Sequence, residues 1–354
     1  MSVAGSIASY CSAALNSLTP SQVTFLQTLP KAELHAHLNG SIPINVLQDL
    51  AREHISTSDQ NDSDVVQSGL ENLVQGIDIK EINDFFGLFP AIYALTSTPA
   101  ALARATRSVL QLFLDGPTPE CTYLELRSTP RATPHMTRKE YVEVILGQVD
   151  LFNGGADASG TANSKIGEKA ALIVSLDRRM DAVVAKECVD IAVSLKKEGR
   201  RVVGIDLCGD PMVRFFSLAI LLVEILRYCV DRQAGDMEQF ASYFRQAKDA
   251  GLGVTLHIAE VIPFLSSFNR IVVIPLFQTT ANSPSETLQL LSFAPNRLGH
   301  ATFLDDEAKT IVLRDNICIE ICLSSNLLWV QLPFYFCNLR AMDSLGLWHH
   351  IFLL

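Results

Sequence analysis

Four of the eight histidines stand in short segments whose residue types could bind a metal and move protons. His35 and His37 are two residues apart, and on a strand such side chains point to the same face. Paired imidazoles are a common way to bind a divalent metal, but two histidines at a strand end also make ordinary hydrogen bonds. This spacing leaves both interpretations open.

Two later segments supply the other two histidines. VTLHIAE places His257 at the end of a predicted strand and Glu260 three residues further on. His257 could supply a third metal nitrogen and Glu260 a proton, although Glu260 alone would be taken for a solvated loop carboxylate. In NRLGH, Gly299 permits close approach of the backbone to a ligand, and His300 is predicted to act as a general base or as an electrostatic partner of a metal-bound water.

The elements that must position these groups alternate along the chain. Apolar runs separated by amphipathic stretches are typical of a parallel sheet covered on both faces. We therefore predict a (β/α) barrel, with a doubly wound open sheet as the alternative. The predicted strands are Ala32–Leu38, Thr122–Arg127, Ala170–Leu176, Val202–Leu207, Gly253–Ile258 and Ile317–Leu323, and the predicted helices are Leu102–Leu114, Lys139–Leu151, Val184–Lys197 and Phe240–Ala250.

Composition narrows the possible partners. The 354 residues carry a formal net charge of −10, which argues against a general nucleic-acid binder. The eight cysteines form no CxxC pair, and we expect a reduced, cytoplasmic chain that is monomeric. No run reaches the roughly 18 uncharged apolar residues of a membrane span, so no membrane partner is expected.

The order of seven motifs resembles the adenosine deaminase superfamily, and within it the adenosine deaminase-like branch, the N6-methyl-AMP deaminases. The motifs are HxHxNG, LRSTPR, DRR, GIDLCGDP, LHIAE, RLGH and SSN, spread from about Leu29 to Leu328. The resemblance implies a zinc-dependent barrel enzyme of the metallo-dependent hydrolase kind. Its expected reaction is hydrolysis of N6-methyl-AMP to IMP and methylamine.

Carried over residue by residue, the resemblance implies that His35, His37 and His257 bind one Zn²⁺. Zinc lowers the pKa of its bound water toward ~7, which gives hydroxide at neutral pH. Glu260 would donate a proton to purine nitrogen 1, and His300 would orient or deprotonate the water.

Further positions are implied to bind the substrate. Adenosine deaminases proper carry an Asp at the position of Asn39, and a neutral amide there would not repel a 5′-phosphate. Arg131 offers a guanidinium for phosphate oxygens, although a surface ion pair is an equal interpretation. Tyr93 stands where relatives carry a ligand-facing His. The full predicted substrate set is His37, Asn39, Tyr93, Ser128, Thr129, Pro130, Arg131, Asp177 and Gly209.

The chain departs from the family pattern in three hydrophobic segments. Residues 213–233 and 261–278 each begin with Val and end with Gln, which is typical of an intron translated in frame. We therefore interpret both segments as translated introns. The alternative is that they are genuine insertions that form extra helices. The family's metal-binding Asp-Asp pair and the eighth strand are not found after Leu328. We predict an N-terminal helical extension (1–28), a deaminase barrel truncated before its eighth strand (29–328) and an atypical hydrophobic tail (329–354). A deaminase of adenosine or another aminopurine nucleoside and a non-catalytic purine-nucleotide-binding relic remain alternative functions.

Overall fold

Seven parallel strands form one sheet in a computed structural model that describes residues 16–57, 63–76, 82–154, 169–209, 237–260 and 284–322. The strand order in space follows the order along the chain, β1 to β7. A doubly wound sheet reverses its strand order at a switch point, so that alternative is wrong. The strands are β1 (Ala32–His37), β2 (Tyr123–Ser128), β3 (Ala170–Asp177), β4 (Val202–Cys208), β5 (Gly253–Ile258), β6 (Arg297–His300) and β7 (Cys318–Glu320).

Side chains that cross the interior show that the sheet curls into a barrel. His35 on β1 hydrogen-bonds Glu320 on β7, with 2.9 Å between Nδ1 and Oε2. Glu320 also accepts a hydrogen bond from Thr255 on β5 and pairs with Arg127 on β2. Side chains from strands this far apart in the sheet order can meet only inside a curved sheet. The predicted barrel is therefore confirmed. Among the described residues, the edge strands β1 and β7 make no backbone pairing with each other.

Helices connect the strands and cover the outside of the sheet. Their N-termini carry the expected caps: Thr137 and Glu140 form a capping box, and the side chains of Thr98 and Asp181 accept from backbone amides of the first turn. The helices are α1 (Pro20–Thr28), α2 (Ile44–Thr57), α3 (Asp64–Gln75), α4 (Ile82–Phe86), α5 (Phe89–Leu95), α6 (Pro99–Leu114), α7 (Arg138–Phe152), α8 (Ala182–Lys197), α9 (Ala241–Asp249), α10 (Pro284–Ser292) and α11 (Asp306–Arg314).

The core lies between the sheet and this helical layer. Strands β2 to β5 are buried almost throughout, as expected for parallel strands covered on both faces. Among the residues that the structure describes, no helix combines the length and apolar character needed to cross a bilayer. Segments 213–233, 261–278 and 329–354, together with the position of an eighth strand, lie outside the described residues, so the interpretations placed on them stay predictions.

Candidate active site

Three histidines converge at the carboxyl ends of β1 and β5. The candidate ligand atoms of His35, His37 and His257 all lie within 4.8 Å of one another. The Nε2 atoms of His37 and His257 are 3.0 Å apart. Barrel enzymes carry their catalytic groups at this end of the strands, because the loops that follow the strands converge there. The histidines that the sequence singled out are thus brought together.

Two buried carboxylates orient these imidazoles. Asp206 Oδ1 lies 2.9 Å from His257 Nδ1, and Glu320 Oε2 lies 2.9 Å from His35 Nδ1. An ionised carboxylate can only accept, so each Nδ1 carries the proton and donates it. Each Nε2 then keeps its lone pair, which is the arrangement that metal-binding histidines adopt.

One arginine links the two carboxylates. Arg127 on β2 is fully buried, with Nη1 3.4 Å from Asp206 Oδ1 and Nη2 donating to Glu320. Its Nη2 also donates to the carbonyl oxygen of Leu34 on β1, at 2.8 Å. Arg127 therefore connects the partners of His257 and His35 to the strand that carries His35.

The electrostatic environment favours the neutral form of His35 and His37. Burial lowers the pKa of each well below the usual value, and a neighbouring group lowers it further, Arg127 first for His35 and His257 first for His37. Burial alone would raise the pKa of Asp206, but the neighbouring His257 and Arg127 hold it well below its usual range. Neutral imidazoles beside fixed carboxylates suit Zn²⁺, which accepts nitrogen ligands from three histidines.

Glu260 and His300 flank this cluster, and left-handed backbone directs both. Ala259, just before Glu260, has φ of +47°, and His300 itself has φ of +63°. Such angles are strained for residues other than glycine and tend to occur at functional sites. Glu260 and His300 are both buried, and His300 Nε2 lies 3.6 Å from Glu260 Oε1. A carboxyl group and an imidazole thus stand side by side, close enough to share protons with a ligand.

Gly299 allows the backbone of β6 to approach the cluster. A Cβ atom at this position would lie 2.6 Å from Cε1 of His35 and 3.1 Å from its Nδ1. Real Cβ contacts are essentially never shorter than 3.0 Å. The backbone at Gly299 therefore lies close to one of the three clustered histidines, and its predicted approach to a bound ligand stays a prediction.

Asn39 lies in a buried network of neutral polar groups. Its Nδ2 donates to Thr96 Oγ1 at 3.3 Å, and its Oδ1 accepts from the Tyr141 hydroxyl at 3.2 Å. The Tyr141 hydroxyl is also 3.0 Å from Ser128 Oγ. Two predicted substrate-binding residues, Asn39 and Ser128, are thus held by one tyrosine.

Tyr93 and Arg131 contact each other directly. The guanidinium carbon of Arg131 lies 3.3 Å from the centroid of the Tyr93 ring, a cation–π contact. Burial raises the pKa of Tyr93 to about 12, although the Arg131 charge opposes this, so the hydroxyl stays protonated at neutral pH. Arg131 thus stacks on another residue that was predicted to bind the substrate, and its role as a phosphate ligand stays a prediction.

Of the remaining predicted residues, Thr129, Pro130 and Asp177 line a cavity of about 290 Å³ at the ends of β2 and β3, and Gly209 does not. Asp177 accepts two hydrogen bonds from the guanidinium of Arg179, at 2.8 and 2.6 Å. Gly209 has φ of +113°, and a Cβ there would lie 2.8 Å from Asp177 Oδ1. The lining residues include Thr129, Pro130, Arg131, Asp177 and Arg179, and do not include the clustered histidines.

Four charged residues around the histidines were not anticipated from the sequence: Asp206, Glu320, Arg127 and Arg178. Arg178 donates to the His257 carbonyl oxygen at 2.7 Å and pairs with Glu286. Each of the four stands in or next to an apolar strand, and a buried charge in such a strand is the signal that could have identified it.

The curved parallel sheet and its cluster of three histidines are typical of a barrel enzyme with a metal centre. Residues 30–223 match the family model described as "Adenosine deaminase". The N6-mAMP deaminase of Arabidopsis thaliana is 32% identical over 317 residues, which cover 86% of this chain and 75% of that protein. The N6-Methyl-AMP deaminase of Homo sapiens is 30% identical over 342 residues, covering 94% and 78%. The chain belongs to the adenosine deaminase family, as its motif order predicted.

A solved structure supports the same assignment. The crystal structure of Arabidopsis ADAL complexed with IMP matches with a TM-score of 0.66 and 28% identity, covering 91% of this chain and 79% of that chain. The fold and the family are therefore established together. The sequence lacks the Asp-Asp pair that the family pattern expects after the last strand, since Asp343 is the one acidic residue that follows Leu328.

Proposed function

We propose that the chain is a zinc-dependent hydrolytic deaminase that converts N6-methyl-AMP and water to IMP and methylamine. The observation that carries this proposal is the convergence of His35, His37 and His257 beside Glu260 and His300. One Zn²⁺ per chain would be held by the three imidazoles, and it would supply Lewis-acid activation of a water molecule.

The chain's own residues handle the protons of the reaction. Water adds at purine carbon 6, and methylamine leaves from the same carbon. Glu260, in its acid form, would hold the proton that passes to purine nitrogen 1. His300, 3.6 Å from Glu260, would orient the attacking water, accept one of its protons and pass that proton to the departing methylamine, while the second water proton would restore Glu260. The burial of both groups excludes bulk water and strengthens these interactions.

A nucleoside monophosphate is the substrate class that the surrounding residues favour. Asn39 and Ser128 present neutral polar groups, whereas a carboxylate at position 39 would repel a phosphate. Thr129 and Arg131 add a hydroxyl and a guanidinium next to them, and phosphate oxygens bind such donors well. The relatives named N6-methyl-AMP deaminase and the related structure with IMP support the same class.

The purine itself would be held by Gly209 through its backbone and by Asp177, with Tyr93 and Pro130 as further contacts. The five cysteines among the described residues are free thiols, which suits a reducing compartment. We place the protein in the cytoplasm as a monomer.

Steady-state kinetics with N6-methyl-AMP and adenosine test the substrate class. Removing a charged hydrogen bond costs about 1.5–3 kcal/mol, so Arg131→Met should lower kcat/KM for the nucleotide roughly 10- to 100-fold and change that for adenosine little. Arg107→Met, in which an exposed arginine loses its contact with Gln148, is the matched control.

Two results would redirect the assignment. If adenosine is the better substrate and Arg131→Met lowers both rates equally, an adenosine deaminase replaces the proposal. If the zinc-loaded protein binds the nucleotide without turnover, the chain is a non-catalytic nucleotide-binding protein. The Asn39→Asp variant should shift preference toward the nucleoside, because its carboxylate repels the phosphate.

A further inference from the structure

A second group of metal-ligating side chains adjoins the three-histidine cluster. The candidate ligand atoms of His35, His300 and Cys322 also lie within 4.8 Å of one another. The rings of His35 and His300 have centroids 5.2 Å apart. This second group offers two imidazoles and one thiol. It differs from the three-histidine cluster because one of its donor atoms is a sulfur.

The fold itself brings these three groups together. Cys322 follows β7 by two residues, and its Sγ lies 3.7 Å from the Glu320 carbonyl oxygen. The left-handed backbone at His300 takes its side chain out of the alternation of β6 and toward His35. Strands β6 and β7 are neighbours in the sheet, so His300 and Cys322 reach the same end of the barrel.

His35 belongs to both groups, so ions bound in the two groups would compete for its imidazole. Its Nδ1 is engaged with Glu320 at 2.9 Å. While that hydrogen bond is kept, one ring nitrogen remains, and it can bind one ion at a time. An ion in the second group would therefore have to share His35 with, or take it from, an ion in the first.

We propose that His35, His300 and Cys322 form a second metal position that binds thiophilic divalent cations such as Cd²⁺. Soft thiolate ligands select for such metals over ions that prefer nitrogen and oxygen. Binding forms a bond between the metal and sulfur, and the thiol proton of Cys322 is released to solvent. This donor set overlaps the site of the proposed deaminase reaction at His35 and His300, and Cys322 is the ligand that it adds.

A consequence for catalysis rests on the proposed function. A metal at the second position ligates His300, which the reaction needs as a free base. Thiophilic cations should therefore inhibit turnover without competing with the nucleotide for Arg131 or Asn39. The inhibition should depend on Cys322, which is not part of the proposed catalytic machinery.

Titration of the full, metal-depleted chain with Cd²⁺ tests the site directly. The readout is the ultraviolet charge-transfer absorption of a cadmium–thiolate bond. We expect the tightest phase of this titration to disappear in Cys322→Ser and in Cys322→Ala. Cys318→Ser is the matched control, because Cys318 lies on β7 and belongs to neither group. A tight thiolate phase that survives in both Cys322 variants overturns the proposal.

Turnover of the zinc-loaded protein in the presence of Cd²⁺ gives the second measurement. Loss of an outer hydrogen-bond partner already costs roughly 10- to 100-fold in metal affinity, so loss of the sulfur ligand should raise the inhibition constant at least tenfold. Equal inhibition of the wild type and Cys322→Ser would overturn the inhibitory role. If the wild type does not turn over, only the proposed deaminase function fails, because the absorption titration still decides whether the site exists.

Discussion

Arg127→Met is the substitution that most directly tests the ion network beneath the histidines. The arginine is fully buried and pairs with Asp206 and Glu320, whose side chains are 0% and 1% exposed. Methionine fills a similar volume but leaves both carboxylates without this cation. Breaking a buried ion pair by removing one partner typically costs about 3–5 kcal/mol, because an uncompensated buried charge remains.

The remaining partners place the expected loss near the lower end of that range. Glu320 keeps an ion pair with Arg297, at 2.9 Å, and Asp206 keeps a hydrogen bond from Ser175, also at 2.9 Å. We therefore expect the free energy of unfolding to fall by about 3 kcal/mol, which is roughly a 100-fold change in the unfolding equilibrium.

Equilibrium urea unfolding of the metal-depleted protein is the appropriate assay, because bound metal would stabilise the fold separately. Arg104→Met is the matched control. Arg104 also contacts two carboxylates, Asp49 and Glu53, but its side chain is 40% exposed, so its loss should cost about 0–1 kcal/mol. If Arg127→Met costs no more than Arg104→Met, the buried network does not stabilise the barrel and the reasoning is refuted.

Three further predictions concern the same region and the core. Asp206→Asn removes the carboxylate that orients His257, and should weaken zinc binding roughly 10- to 100-fold in competition with a chelator. Gly299→Ala places a Cβ 2.6 Å from Cε1 of His35, and should displace this imidazole and lower zinc affinity in the same assay. Burial raises the pKa of Cys188 to about 12, so at pH 8 its thiolate should be roughly a thousandfold scarcer than that of a free cysteine of pKa about 8.5. Alkylation of Cys188, located by peptide mass spectrometry, should be slow in the native protein and fast in urea.

Each of these predictions has a result that contradicts it. Unchanged zinc affinity in Asp206→Asn would mean that the carboxylate does not orient the imidazole. Gly147→Ala is the control for Gly299→Ala, since nothing lies within 4 Å of a Cβ at position 147, and equal effects would rule out the steric explanation. Rapid native alkylation of Cys188 would show that the packing around helix α8 opens easily.

The strands were largely predictable because they are apolar runs. Gly253–Ile258 has the predicted bounds, and the run at 170–176 extends by one residue in β3. Strand β6 was absent from the predicted strands, since Arg297–His300 is only four residues long and two of them are charged or titratable. The barrel topology followed from parallel strands with intervening helices, a pattern that appears in sequence as alternating elements.

The long connection between β1 and β2 was less predictable. Its described residues contain five α-helices, of which the sequence indicated only the last, α6, and started it three residues late at Leu102. The helix α3 has a serine N-cap and a glycine C-cap, at Ser63 and Gly76, and these signals could have revealed it.

The histidines of the site were predictable from local motifs, but their partners were not. His35 and Glu320 are 285 positions apart in sequence, and only closure of the barrel brings them together. Asp206 stands within the motif GIDLCGDP, yet its contact with His257 depends on the register of β4 against β5. A single sequence carries no record of such long-range pairs, whereas the motif spacing records the local ones.

The proposed deaminase activity is tested by incubating the zinc-loaded chain with N6-methyl-AMP and measuring IMP and methylamine together. We expect equimolar formation of both products, and loss of both when His37→Ala removes a proposed zinc ligand. Absence of either product from protein that has bound one zinc per chain, or undiminished formation by His37→Ala, would contradict it.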